Sequence, residues 1–283
     1  VEFCRVLLGH VRAGIGYAAI LACMIFAALT GAAVVTISAI GGIMLPIMIK
    51  EGYDAADSTA CVCAGSITGP IIPPSLPMVI FGVVSGASVT RMFIGGVVPG
   101  VITGLVCMLA WYFMNKNKNY ALKPKATPQE IWTAFKKAFP ALMMPVIMMG
   151  GILSGIFTPT EAGVVACVYA WVVSTFLYKK MNMKTLKRVA IASAKSTAVI
   201  MLIVAACQAL AMVITVARIP QAIAAAISSV SSNPLVVMCL INLFVLIVGL
   251  FMDVTPALTI LTPIFLPIVT DIGMDPIVFG VTL

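Results

Sequence analysis

Residues 13–49 read AGIGYAAILACMIFAALTGAAVVTISAIGGIMLPIMI, 37 residues without a charge. A helix rises about 1.5 Å per residue, and about 20 apolar residues cross a bilayer core. The run is therefore too long for one crossing. Thr30-Gly31 interrupts its apolar pattern and divides it into two arms of about 17–18 residues. Arg5 and Arg12 lie before it and Lys50 directly after it, so charge sits at its base and none in its middle. The pattern predicts a re-entrant helical hairpin over 13–49; a pair of full spans is the alternative.

The end of this stretch returns later in the chain. Ile43, Leu45, Pro46, Ile47, Gly52 and Asp54 recur 221 residues on as Ile264, Leu266, Pro267, Ile268, Gly273 and Asp275. The second copy also follows a long apolar stretch, broken at Met252-Asp253. Internal repeats in a membrane protein mark secondary transporters, with binding sites at the repeat interface.

Composition sets the class. The chain is 62% apolar and 9% charged, with a mean hydropathy of +1.16, where globular chains carry about 25% charged residues. An all-α polytopic membrane protein follows. The formal charge of +8 points neither to nucleic acid nor to an acidic substrate, because the basic residues gather in two loops. The eight cysteines lie mostly in apolar spans; Cys61-x-Cys63 lacks zinc-type spacing, and packing accounts for such residues. Lys195-Ser196-Thr197 lacks the glycines of a phosphate loop. No Ser/His/Asp set, HExxH or paired-carboxylate site appears, so the sequence does not read as an enzyme. Transport energy would come from an ion gradient or from an ATPase on another chain. The chain opens at Val1 and stops at Leu283 inside an apolar stretch, and reads as a fragment of a longer protein.

Charge then orders the crossings. An apolar segment over about 58–84 is interrupted at Gly69-Pro70-Ile71-Ile72-Pro73-Pro74-Ser75, and a helix over 92–114 carries Gly96-xxx-Gly100-xxx-Gly104, a spacing that permits close helix contact. Loop 115–137 holds six lysines against Glu130. Connecting helices fill 138–217, as spans near 139–157, 160–178 and 196–217, with a second basic loop at Lys179, Lys180, Lys184, Lys187, Arg188 and Lys195. Arg218–Asn233 reads as a surface segment, and 235–252 with 255–270 as a second hairpin. With both basic loops cytoplasmic, the hairpin at 13–49 opens inward and the one at 235–270 outward. Fifteen of the 17 basic residues then face the cytoplasm, leaving Arg91 and Arg218 outside. The domain reading is a first repeat at 1–114, the loop 115–137, the connecting helices 138–217 and a truncated second repeat at 218–283.

Three motifs could carry chemistry. Consecutive prolines at 73 and 74 cannot continue a helix, and open backbone at membrane depth survives only in protein or beside a wet cavity. Carbonyls freed around Gly69 and Ile72 can coordinate a cation, and half-helix N-termini can face an anion; a plain proline kink is the structural alternative. Asp253 is the only acid within the second apolar stretch. A charge at membrane depth costs about 2.5–3.5 kcal/mol on insertion scales, and no basic residue of that stretch could pair with it. A bound cation could, with Thr255 adding a hydroxyl; a helix cap at a wet hairpin tip is the compatible alternative. Thr158-Pro159-Thr160-Glu161 reads as a capping box with proline at the first helical position.

Several runs resemble the large membrane (permease) subunit of tripartite ATP-independent periplasmic (TRAP) transporters. They are Gly69–Ser75, Ile94-Gly95-Gly96-Val97-Val98-Pro99-Gly100, Phe157-Thr158-Pro159-Thr160-Glu161-Ala162-Gly163 and Asp275-Pro276-Ile277-Val278-Phe279-Gly280. The resemblance implies an inverted-repeat, elevator-type transporter of the ion-transporter superfamily in the bacterial inner membrane. It implies sodium as coupling ion and no other cofactor, with a periplasmic substrate-binding protein and a small membrane subunit as partners. The implied substrate is a small organic anion such as a C4-dicarboxylate, sugar acid, keto acid or sialic acid. By position, the cation-binding residues are Thr30, Gly31, Gly69, Ile72, Pro74, Asp253 and Thr255, and the substrate-facing ones Pro73, Ser75, Ala32 and Val254. The tip Leu29-Thr30-Gly31-Ala32-Ala33 departs from the family's serine-rich pattern: Thr30 keeps one hydroxyl, while Ala32 and Ala33 keep none. The family's second broken helix is expected beyond the chain, since Pro73 and Pro74 displaced by 221 fall past Leu283. A cation/proton antiporter of the same superfamily and a non-transporting truncated subunit are the other readings.

Overall fold

Glycine and proline end some helices, at Gly31 and over residues 69–74, while Pro46, Pro99, Pro140, Pro145, Pro263 and Pro267 lie inside others. The computed structural model describes residues 1–118, 120, 125–218 and 234–283, and no strand occurs among them. The helices are α1 (Glu2–Leu8), α2 (Gly14–Thr30), α3 (Ala33–Lys50), α4 (Ala55–Ser66), α5 (Leu76–Ser85), α6 (Val89–Asn115), α7 (Pro128–Leu153), α8 (Pro159–Val172), α9 (Met183–Val216), α10 (Pro234–Gly249), α11 (Val254–Asp271) and α12 (Pro276–Thr282). A π turn, Val173–Leu177, extends α8. Six of the described helices are long and apolar enough to cross a membrane: α3, α6, α7, α8 with its π turn, α9 and α11. The protein is an all-α polytopic membrane protein.

Two compact units are present, Val1–Leu76 with Gly96–Val173, and Pro77–Gly95 with Ser174–Leu283. In the first, α2 and α3 form a helical hairpin and both pack on α4. Ala18, Ala19 and Cys23 of α2 are fully buried, and small side chains let the backbones approach closely. A Cβ on Gly65 would lie 3.2 Å from the Ile20 Cα. Gly100 and Gly104 serve α6 in the same way, since a Cβ would meet Ile72 at 2.6 Å and Met24 at 2.3 Å. At the base of the hairpin, Trp111 donates from Nε1 to the Ala13 carbonyl at 3.1 Å, and Tyr53 stacks on Tyr120 at 4.0 Å. Arg12 donates to the Lys118 carbonyl at 3.0 Å, and Lys118 pairs with Asp57, a hydrogen bond that raises the lysine above its usual range. Gly16 lies under the indole, where a Cβ would stand 2.1 Å from Trp111 Cε2. Overpacking of this kind costs about 1–3 kcal/mol. Gly16→Ala is therefore expected to lower the thermal unfolding midpoint in detergent by several degrees, while Gly42→Ala, with open space around it, should leave it unchanged.

The repeat holds residue by residue. Displaced by 221, the bounds of α3 become those of α11, and the start of α4 becomes that of α12. Gly52 and Gly273 both adopt left-handed φ, +85° and +83°. Tyr53 N–H donates to the Met48 carbonyl at 3.1 Å and Met274 N–H to Val269 at 3.0 Å. Asp54 accepts from Ala56 N–H at 2.8 Å, as Asp275 does from Ile277 N–H at 2.7 Å. Both copies thus end a helix on a left-handed glycine and start the next on an aspartate cap. Their buried faces also correspond, Ile40, Met44 and Met48 against Leu261, Phe265 and Val269.

Several helix boundaries differ from the sequence expectation. α4 begins at Ala55 on the Asp54 cap rather than near 58, α7 begins at Pro128 inside the expected loop 115–137, and α9 begins at Met183 rather than near 196. In α7 and α9 the basic residues extend the helices, because Lys and Arg are good helix formers. The expected surface segment Arg218–Asn233 lies, beyond Arg218, outside the described residues. The Thr158 capping box is present, and Thr127 forms a second one with Glu130. Thr158→Ala should cost about 1 kcal/mol, read as a lowered unfolding midpoint, and Thr158→Ser should restore it.

Candidate functional site: a hairpin tip on an open helix

In the first unit, Thr30 ends α2, Gly31 caps it at φ +61°, and extended Ala32 leads into α3. The break in the neighbouring element runs from Ile67 to Ser75 between α4 and α5. Prolines 70, 73 and 77 withhold the N–H groups that would have bonded the carbonyls of Ser66, Gly69 and Pro73 in a continuous helix. Ser66 receives the Gly69 N–H instead at 3.0 Å, and Pro70 receives the Ser75 hydroxyl. Gly69 and Pro73 carry carbonyls outside any helical ladder.

The tip sits directly on this opened backbone. A Cβ on Gly31 would lie 2.7 Å from the Pro74 carbonyl oxygen and 3.0 Å from the Leu76 nitrogen. A Cβ on Gly69 would lie 3.0 Å from the Ala32 carbonyl carbon. Both glycines are backbone-to-backbone contacts with no room for a side chain. The structure therefore brings together Thr30, Gly31, Ala32, Gly69, Ile72, Pro73, Pro74 and Ser75. Ser75 is buried and its hydroxyl braces the loop. Ile72 is half-buried beneath Gly100 of α6.

One participant escaped the sequence reading. Thr36, fully buried, donates to the Ala32 carbonyl at 2.9 Å and meets the Thr30 hydroxyl at 3.1 Å. Thr30 also donates to the Phe26 carbonyl at 3.2 Å. Three contacts share two hydroxyl protons, so one contact at a time goes without a proton. The signal was a threonine on either side of the break, one turn into the second arm. Oxygen atoms without formal charge are the ligands that the tip and the open helix offer, a donor set suited to a hard monovalent cation.

The second tip, in the other unit, is built differently. Asp253 occupies the N-cap position of α11 (φ −69°, ψ 157°), yet its side chain makes no capping hydrogen bond. It is exposed, as is Val254, in a turn whose Leu250 and Phe251 are 80% and 85% exposed. Thr255 gives its carbonyl to the Thr259 hydroxyl at 2.8 Å. The cap explanation of Asp253 thus holds for its backbone and not for its carboxylate.

A profile of the tripartite ATP-independent periplasmic transporter family, DctM component, matches residues 1–283. The chain belongs to this family. It is 42% identical over 275 residues to the 2,3-diketo-L-gulonate TRAP transporter large permease protein of Escherichia coli, covering 97% of the chain and 65% of that protein. It is 38% identical to the C4-dicarboxylate TRAP transporter large permease protein of Pseudomonas aeruginosa, covering 100% of the chain and 66% of that protein. To the sialic acid TRAP transporter large permease protein of Vibrio cholerae it is 34% identical, with 99% and 66% covered. The chain thus spans just under two thirds of the length of these relatives. DctM-family membership makes it a transporter component rather than an enzyme, and with its six candidate spans places it in the bacterial inner membrane as a multi-pass protein.

Proposed function

We propose that this chain is part of a sodium-coupled permease that imports a small organic anion delivered by a periplasmic binding protein, beside a small membrane subunit. The observation that carries the reading is the hairpin tip seated on the proline-opened helix, with Gly31 against the Pro74 carbonyl. Names of the relatives, which specify C4-dicarboxylate, sialic acid and 2,3-diketo-L-gulonate, support an organic anion bearing a carboxylate. Under this reading residues 1–114 form the first repeat, 115–137 a cytoplasmic segment whose end is the start of α7, 138–217 the connecting helices and 218–283 part of an inverted second repeat. The two hairpins, 13–49 and 235–270, enter the membrane from opposite faces and move in an elevator-type cycle. Sodium is held by oxygen atoms of Thr30, Gly31, Gly69, Ile72 and Pro74 at one tip and of Asp253 and Thr255 at the other. Pro73, Ser75, Ala32 and Val254 line the substrate's approach.

The test is uptake of labelled C4-dicarboxylate, sialic acid and 2,3-diketogulonate into proteoliposomes holding the permease with its small subunit. Uptake of one of these should require both an inward sodium gradient and the binding protein. Sodium-independent uptake would defeat the coupling, and full uptake without the binding protein would favour the antiporter-like alternative.

A further inference from the structure

Helix α9 is longer than a crossing requires. Its 34 residues reach roughly 51 Å at about 1.5 Å per residue, against a hydrocarbon core of about 30 Å. The polar excess is all at its N-terminal end. Lys184, Lys187, Arg188 and Lys195 are exposed there and project within about 100° of one another around the helix, and Lys179 and Lys180 directly precede them. These cations sit on ordered backbone: Asn182 accepts the Thr185 N–H at 2.8 Å and starts the helix. Phe176 and Tyr178, both exposed, stand just before them, as aromatic residues do at a membrane–water boundary.

Absence of partners sets this face apart from the other basic segment. There, Lys118 is paired with Asp57, Lys116 lies over the Phe113 ring and Lys136 over Trp132. Among the described residues, no ion pair or ring contact involves any of the six cations of 179–195. The sequence holds no acid between Glu161 and Asp253, and Glu161 is engaged by Thr158. Like charges three and four residues apart on a helix repel. The positive-inside rule asks only that such charges stay cytoplasmic; it does not gather them on one uncompensated face.

We propose that this face of α9, with Lys179 and Lys180, binds the headgroup phosphates of anionic phospholipids in the leaflet that holds it. The proposed topology enters only in naming that leaflet as the cytoplasmic one. Basic clusters beside a membrane helix attract anionic lipid by roughly fivefold per cation near the surface.

The experiment uses the full permease in phosphatidylcholine nanodiscs carrying spin-labelled phosphatidylglycerol or spin-labelled phosphatidylcholine. The motionally restricted fraction of each gives their relative association. Phosphatidylglycerol should be preferred several-fold, and the preference should vanish in the Lys184→Gln/Lys187→Gln/Arg188→Gln variant while surviving Lys136→Gln. Circular dichroism of the triple variant checks that it stays folded. Equal association of the two lipids, or a triple variant that keeps the preference, overturns the proposal. So does complete loss of the preference on adding millimolar glycerophosphate at constant ionic strength, which would assign the face to a soluble phosphate. Uptake is not read, so a failure of sodium coupling leaves this result standing.

Discussion

Gly31→Val should abolish uptake while leaving the amount of inserted protein close to wild type. Two costs coincide at this position. The backbone is left-handed at φ +61°, which costs an L-residue roughly 1–2 kcal/mol and a β-branched one more. A Cβ would also press on the Pro74 carbonyl oxygen at 2.7 Å and on Leu76 and Ser75. These are backbone atoms of a proline-stiffened loop, so the contact cannot be relieved by turning a side chain. The tip must lift off the open helix, and any ligand set shared by the two is lost. A fall in uptake of at least a hundredfold is expected, with Gly31→Ala intermediate and Gly42→Ala near wild type. Membrane insertion should persist because the arms of the hairpin are unaltered. Wild-type uptake by Gly31→Val would remove the tip–helix contact from the mechanism.

What was legible in the sequence is what chemistry fixes locally. The end of α2 at Thr30, the opening of the chain at Pro73-Pro74 and the Thr158 capping box each depend on a few adjacent residues. The 221-residue register was legible too, because Gly52 and Asp54 are needed to stop one helix and start the next, and the same need recurs at Gly273 and Asp275. The packed face of the repeat was not. Met44 and Met48 are answered by Phe265 and Val269, a match of position and burial that no identity records. Helix starts at Pro128 and Met183 were hidden because a run of lysines marks the edge of the membrane, and a helix can continue past that edge. The contact of Gly31 with Pro74 joins residues 43 apart, and the role of Thr36 appears only once the two arms are folded together. Local rules place the breaks, but only the packing shows that one break rests on another.

Asp253→Asn separates the two explanations of the second tip. If the carboxylate serves only as a helix cap, asparagine replaces it with little loss, since the two cap about equally well. Sodium activation of uptake should then be unchanged. If the charge holds a cation, asparagine keeps the shape and loses the attraction. The geometry favours the second outcome: the side chain occupies the cap position without making the capping bond, so its oxygens are not committed to the helix. Nor does the second apolar stretch supply a basic residue to balance it. The sodium concentration for half-maximal uptake is expected to rise at least tenfold in Asp253→Asn, with the thermal unfolding midpoint within a few degrees of wild type. Asp253→Ala should behave alike in sodium dependence, and Asp253→Glu should recover part of the affinity. Unchanged sodium activation in Asp253→Asn would return the residue to a purely structural role and leave the coupling ion to the first tip alone.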